Sequence, residues 1–315
     1  MTSPLDPVVA EVLNKLPSFE SSKTMTPASC RKMLRDLAAA RSDIPPPQPA
    51  SVEDSALPSG VPIRIYRTTT KPVPTVVYFH GGGWVAGDLE THDRACRQMT
   101  LDLNAVVISV DYRRPPEAPF PAAYEDAVAA TQWAFTHVAS LGGDVKRIGV
   151  AGDSAGGILA AACAIACRDL GLALAAQCLI YPATDLAGGY RDESLNIAYP
   201  SRGDNASGYF LELDTMQWFA EHYLPERSQL TDPRASPIRA SSLAGLAPAV
   251  VTSAQFDPLR DEGIAYAAAL RAAGVKVHEH RGAGLVHGYV GMAPAVPAAF
   301  EEVRKAREDF KALLG

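Results

Sequence analysis

The sequence predicts an α/β fold with a mostly parallel central sheet and helices on both faces. Three observations carry this expectation. Short apolar runs alternate along the chain with longer stretches of helical composition, the order that builds parallel strands joined by crossover helices. Several runs are apolar at consecutive positions rather than at every second one, as strands buried on both faces are. With 47% hydrophobic and 20% charged residues in 315 positions, the chain can bury a core of that size.

The elements follow in order. Val8–Leu16 and Cys30–Arg41 read as helices, the second preceded by Thr26-Pro27, an N-cap followed by proline in the first turn. Ile44-Pro45-Pro46-Pro47 stops helix and reads as a stiff connector, so residues 1–45 are expected to form N-terminal cap helices appended to the main fold. A core of residues 46–186 and 241–315 follows. Its expected strands are Pro62–Thr68, Thr75–His80, Ala105–Val110, Arg147–Gly152, Gln177–Tyr181, Ala249–Ser253 and Val275–His280. Its expected helices are Ala122–Ser140, Ala155–Leu170, Gly263–Ala273 and Pro297–Leu313. The run Ala155–Cys167 is too short for a bilayer span of ~20 residues and reads as a buried core helix. Residues 187–240 break the rhythm, and a segment of this length carries structure of its own or a function. They are expected to form a cap insertion, with a helix at Leu213–Tyr223.

Composition narrows the function. The formal net charge of −6 argues against a nucleic-acid partner, which needs a basic surface. Met1–Ala10 lacks the basic-then-apolar layout of a signal peptide, which gives a cytoplasmic expectation. The five cysteines are scattered and odd in number, so they read as free, mostly buried thiols. Cys163 and Cys167 lie one helical turn apart, but no further ligand sits at metal spacing near them, and no metal is expected.

Gly152-Asp153-Ser154-Ala155-Gly156 follows a strand and opens a helix, the context that a G-x-S-x-G nucleophile turn requires. The pattern alone is weak, with roughly 0.1 chance occurrences per chain at this glycine content. A glycine-rich anion-binding turn would read the same way. His80-Gly81-Gly82-Gly83-Trp84 is sharper, with roughly 0.003 chance occurrences. It sits at the C-terminal end of a strand, where open α/β sheets bind ligands. Glycines there let backbone N–H groups converge, and two of them with the N–H of Ala155 would hold an oxyanion.

A nucleophilic serine needs a base, and the base an orienting acid, in the chain order Ser, then Asp or Glu, then His. Of the downstream histidines, His222 lies in the expected lid, and His278 and His280 alternate along a strand. His287 follows that strand in a loop on the correct edge of the sheet and is favoured as base. Asp257 follows the strand Ala249–Ser253 and is favoured as acid. Asp261 and Glu262 fall at a helix start, where acids complement the dipole. The aromatics Tyr199, Phe210, Trp218 and Phe219 either line an acyl or alcohol pocket or pack the lid against the body.

Taken together, these motifs resemble the α/β-hydrolase fold, and within it the hormone-sensitive-lipase-like carboxylesterases known as bacterial esterase family IV. The resemblance covers roughly Val61 to the end and rests also on Asp111-Tyr112-Arg113, Tyr181-Pro182, Asp257-Pro258-Leu259-Arg260-Asp261-Glu262-Gly263 and His287-Gly288-Tyr289. It implies Ser154 as nucleophile, Asp257 as orienting acid, His287 as base, and Gly82, Gly83 and Ala155 as oxyanion donors. It further implies a helical cap, no cofactor, and a small-molecule ester substrate with short to medium acyl chains. A homodimer paired through the sheet edge is expected by the same analogy. Trp84, Tyr199, Phe210 and Trp218 are the expected substrate contacts. Two departures stand out. Arg114-Pro115-Pro116-Glu117 replaces the usual Leu-Ala-Pro-Glu, which stiffens the loop. Tyr289 stands where phenylalanine is common, which bears on pocket polarity. An amide hydrolase using the same residues, or a non-enzymatic receptor on the same scaffold, are the alternative readings. An oxidoreductase is disfavoured because no G-x-G-x-x-G follows the first strands.

Overall fold

The computed structural model describes residues 3–16, 22–40, 45–69 and 71–315. The end of the second expected helix at Arg41 and the start of the connector at Ile44 lie outside these residues. The chain begins with α1 (Pro7–Lys15), α2 (Pro27–Ala39), β1 (Ser51–Ala56), β2 (Pro62–Arg67), β3 (Val73–Phe79), α3 (Leu89–Leu103) and β4 (Val106–Val110). It continues through α4 (Ala122–His137), β5 (Gly143–Asp153), α5 (Ala155–Asp169), β6 (Ala176–Ile180), α6 (Glu193–Ala198), α7 (Ser201–Asp204) and α8 (Leu213–Tyr223). It closes with β7 (Ala249–Phe256), α9 (Arg260–Ala272), β8 (Val277–Val286), α10 (Tyr289–Met292) and α11 (Pro297–Leu314).

The strands form one sheet in the order β1-β2-β4-β3-β5-β6-β7-β8. The β1–β2 and β2–β4 pairs are antiparallel, and the remaining pairs are parallel. Alternate side chains serve opposite faces, as the pleat dictates. On β3, Val77 and Phe79 join the apolar layer built with α4, α5 and α9. Val76 and Tyr78 join the layer built with α3 and α11. The strands β3, β4 and β6 are therefore buried at every position because both faces are covered, with Thr75, Ser109 and Gln177 the polar residues among them.

The short helices are set by local chemistry. Asp6 Oδ1 accepts from the N–H groups of Val8 and Val9 at 2.8 and 3.1 Å, capping α1. Thr26 Oγ1 accepts from Ser29 N at 3.1 Å, so the expected N-cap of α2 is present. The interior of α5 is buried nearly all round, as its composition predicts. Besides the short helices α6, α7 and α10, two elements go beyond the sequence expectation. One is β1, a polar edge strand exposed along most of its length. The other is α3, capped by Asp88 and buried through Cys96, Met99, Thr100 and Leu103. Strand β8 also runs on to Val286, which carries it to the residue before His287.

Residues 187–240 contain α6, α7 and α8, with α8 spanning the expected Leu213–Tyr223. Helix α2 packs against α3, and α1 against β8. None of the five cysteines is in a disulfide, and all are buried. Among the described residues no helix is long and apolar enough to cross a membrane.

Candidate active site

The C-terminal ends of β5, β7 and β8 bring three distant residues together. Ser154 stands between β5 and α5 with φ 56° and ψ −119°. A non-glycine residue in that region is strained, at a cost on the order of 1–3 kcal/mol, and such strain gathers at functional sites. Gly156 makes the turn possible, since a Cβ there would stand 2.0 Å from the carbonyl oxygen of Phe79. Ser154 occupies the N-cap position of α5 but its side chain caps nothing. Its hydroxyl instead lies 2.9 Å from His287 Nε2. His287 Nδ1 lies 2.7 Å from Asp257 Oδ2.

Asp257 is fully buried, and its other oxygen accepts from the N–H of Leu259 at 2.8 Å. With both oxygens engaged, the carboxylate fixes the imidazole's orientation and favours the tautomer with its proton on Nδ1. Nε2 is then left as an acceptor toward the serine hydroxyl. The rival residues lie elsewhere. Asp261 and Glu262 bind Ser201 and Arg202. His278 and His280 both meet Asp309 on α11, at 3.1 and 2.9 Å. His222 contacts the carbonyl of Trp218 within α8.

The glycine loop after β3 faces the same hydroxyl. Gly82 and Gly83 have φ of 117° and 59°. A Cβ on Gly83 would come within 2.2 Å of the Phe219 ring. Among the described residues, the N–H groups of Gly82, Gly83 and Ala155 have no acceptor, so they are free for a ligand.

The loop is hung from Asp153. Its Oδ1 accepts from Gly81 N at 3.0 Å and from the Tyr78 hydroxyl at 2.6 Å. His92 Nε2, from α3, stands 3.4 Å away. Burial pushes the Asp153 carboxyl up, but His92 and these hydrogen bonds win and hold it at about 2. His80 is fully buried and stacked on Tyr112 at 4.2 Å. Burial lowers it to about 3, which keeps it neutral and structural.

Ser154 opens onto a cavity of about 490 Å³ lined by Gly82, Gly83, His92, Tyr181, Phe210, Leu211, Phe219, His287 and Val290. Farther out, Leu34 and Leu37 of α2, Gln98 of α3 and Val303 of α11 complete the wall. A second space, about 30 Å³, adjoins the serine on another side.

Of the expected substrate contacts, Phe210 lines the large cavity and Trp84 the small one. Tyr199 and Trp218 line neither. The Tyr199 hydroxyl bonds Asp185 at 3.0 Å, and its ring lies under the Arg202 guanidinium. Trp218 is buried against Phe219 and His222 on α8. These two pack away from the cavity, and the neighbouring Leu211 and Phe219 face it instead. Tyr289 places its hydroxyl against Thr252 at 2.9 Å, so it adds no polarity to the cavity. The sequence reading passes over His92 and Tyr78: Tyr78 sits inside the apolar run of β3, and the buried stripe of α3, Cys96, Met99, Thr100 and Leu103, mixes polar with apolar side chains.

Comparisons with known proteins bear on the fold and the family. A family profile described as an alpha/beta hydrolase fold matches residues 76–291. The esterase LipI of Mycobacterium tuberculosis is 44% identical, with 96% of this chain and 92% of that one covered. An ethyl acetate hydrolase of Pseudomonas putida is 37% identical over 76% of this chain and 75% of that one. The crystal structure of an esterase from Pyrobaculum calidifontis superposes with a TM-score of 0.90 at 38% identity, covering 98% of this chain and 99% of that one.

Proposed function

The chain belongs to the α/β-hydrolase family, among its hormone-sensitive-lipase-like esterases, and on that premise we propose that Ser154, His287 and Asp257 act as its nucleophile, base and orienting acid. Its activity is the hydrolysis of carboxylic esters, as relatives named esterase and ethyl acetate hydrolase support. The observation that carries the residue assignment is the unbroken line of contacts from Asp257 through His287 to Ser154, at 2.7 and 2.9 Å.

The chemistry runs in two steps. His287 Nε2 takes the hydroxyl proton as Ser154 Oγ attacks the ester carbonyl. The N–H groups of Gly82, Gly83 and Ala155 hold the resulting oxyanion, each such donor being worth ~3–4 kcal/mol in the transition state. The alcohol leaves with the proton from His287, giving an acyl-enzyme. Water then attacks the acyl group with His287 as base, releasing the acid and restoring Ser154. Asp257 stabilises the imidazolium without taking the proton.

Residues 187–240 and the N-terminal helices act as the cap over the core. Phe210, Leu211 and Phe219 from the first, and Leu34 and Leu37 from α2, stand around the cavity above Ser154, which supports that division. The substrate is a small-molecule ester. The test is covalent labelling by an aryl phosphonate. The reagent is expected on the peptide containing Ser154 in the native protein and on no peptide of the Ser154→Ala variant. Labelling at another residue would reject the assignment.

A further inference from the structure

The two spaces beside Ser154 differ greatly in size, about 490 against about 30 Å³, and they differ in which catalytic groups they touch. The large cavity is walled by His287 and by Gly288, Val290 and Gly291 just after it. The small one is walled by Ala155, Ala183, Met216 and Leu259, and His287 does not reach it. Gly83, Leu211 and Phe219 stand between the two.

Chemistry assigns the sides. In acyl transfer the Oγ–C bond forms and the bond from the acyl carbon to the alcohol oxygen breaks. The hydroxyl proton passes to Nε2 and then to the departing alcohol oxygen. That oxygen must therefore lie within hydrogen-bond reach of the imidazole, and the rest of the alcohol follows it into the space the imidazole borders. The acyl chain, held between the oxyanion donors and the serine, takes the other side.

From this we propose that the enzyme is specific for esters of very short acids with large, apolar-bodied alcohols, and that Met216 and Leu211 set the acyl limit. This rests on the ester-hydrolase reading above and gives it a substrate class. One water-sized group needs ~10–15 Å³ on the same measure, so the small space admits roughly two heavy atoms beyond the carbonyl, an acetyl or propionyl group. Its walls are well-packed, buried side chains, with Met216 and Leu211 at 4% and 6% exposure, so a longer acyl chain must displace them. The large cavity holds many more atoms, and Leu34, Leu37 and Val303 offer apolar contact along it.

A two-way substrate matrix on the full-length protein tests this. One arm varies the acid, with 4-nitrophenyl acetate, propionate, hexanoate and octanoate. The other varies the alcohol, with ethyl, hexyl and decyl acetate. Expected is a kcat/KM at least about a hundredfold lower on the hexanoate than on the acetate, since a methylene a pocket rejects costs tenfold or more. In the alcohol arm kcat/KM holds or rises from ethyl to decyl. Met216→Ala is expected to raise the hexanoate-to-acetate ratio by about tenfold or more. Leu211→Ala, at the same wall, serves if that variant does not fold, and the ratio is insensitive to the fraction of folded enzyme. A native enzyme that hydrolyses the hexanoate within about tenfold of the acetate overturns the proposal, as does a decline along the alcohol arm. So does a ratio unmoved in both variants. No turnover of any ester would instead defeat the reading on which the proposal stands.

Discussion

The backbone N–H of Gly81 donates to the Asp153 carboxylate at 3.0 Å, so the loop carrying Gly82 and Gly83, two of the proposed oxyanion donors, hangs from the residue that precedes Ser154. The same oxygen accepts from Tyr78 at 2.6 Å and faces His92 at 3.4 Å. Asp153 thus couples β3, α3 and the β5 turn beside Ser154. Asp153→Ala should lower kcat by about the 10²–10³ that losing one oxyanion donor costs, with KM changed much less. Measuring kcat and KM separately checks this, and a fall confined to KM would contradict it.

The acidity of Asp153 also has a stability consequence. Its carboxyl is held at about 2 in the folded protein against an ordinary 3.8. A depressed carboxyl stabilises the folded state above its unfolded value, and that contribution is lost as pH falls from about 3.8 through about 2. Denaturant titrations of the native protein and Asp153→Asn should therefore differ most at neutral pH and converge toward pH 2. A gap that widens on acidification would refute the assigned cause.

Asp257→Asn should lower kcat by ~10⁴, because an amide facing Nδ1 favours the wrong imidazole tautomer. The fold should survive, since the second oxygen's bond to Leu259 N can persist. His280→Ala, which loses only a contact to Asp309, should leave kcat nearly unchanged. The reverse pattern would reassign the base.

Gly83→Ala is predicted to be inactive for two separable reasons. The position has φ 59°, and the added Cβ meets the Phe219 ring at 2.2 Å. Combining it with Phe219→Ala clears the second obstacle and leaves the first. The double variant should regain soluble, folded protein and little activity, read by circular dichroism beside kcat. Full recovery would mean that crowding alone matters and that the loop's backbone geometry is dispensable.

Residues 187–240, the proposed cap, are fastened to the segment after Asp257 by buried charge. Arg202 and Glu262 are fully buried and paired, and Ser201 bonds both the Pro258 carbonyl and the Asp261 N–H. Removing one charge, as in Arg202→Met, should destabilise the protein by ~3–5 kcal/mol because Glu262 is left unpaired. Arg202→Met with Glu262→Gln should recover much of that loss. A double variant as unstable as the single one would show that the pair's geometry, not its charge balance, holds the cap.

What was legible in the sequence was what chain-local chemistry controls. Ser154 and the glycine loop announce themselves because a strand, a tight turn and a helix follow one another within a few residues. Helix α8 is bounded as expected because its aromatic spacing is helical. The edge strand β1 is polar at four of its six positions, and only pairing with β2 makes it a strand. The cavity wall was less legible for a related reason. Trp218 and Phe219 are adjacent and equally aromatic, and only the docking of α8 turns the second toward Ser154 and the first into the lid. The link between His92 and Asp153 spans distant segments and leaves no mark on either.

The most direct measurement is the mass of the enzyme quenched in acid within its first turnovers on 4-nitrophenyl acetate. The account predicts one added acetyl group, located by peptide mapping on the segment containing Ser154 and absent from Ser154→Ala. Turnover without any acylated protein under conditions where deacylation limits the rate, or an acetyl group mapped to a different residue, would contradict it.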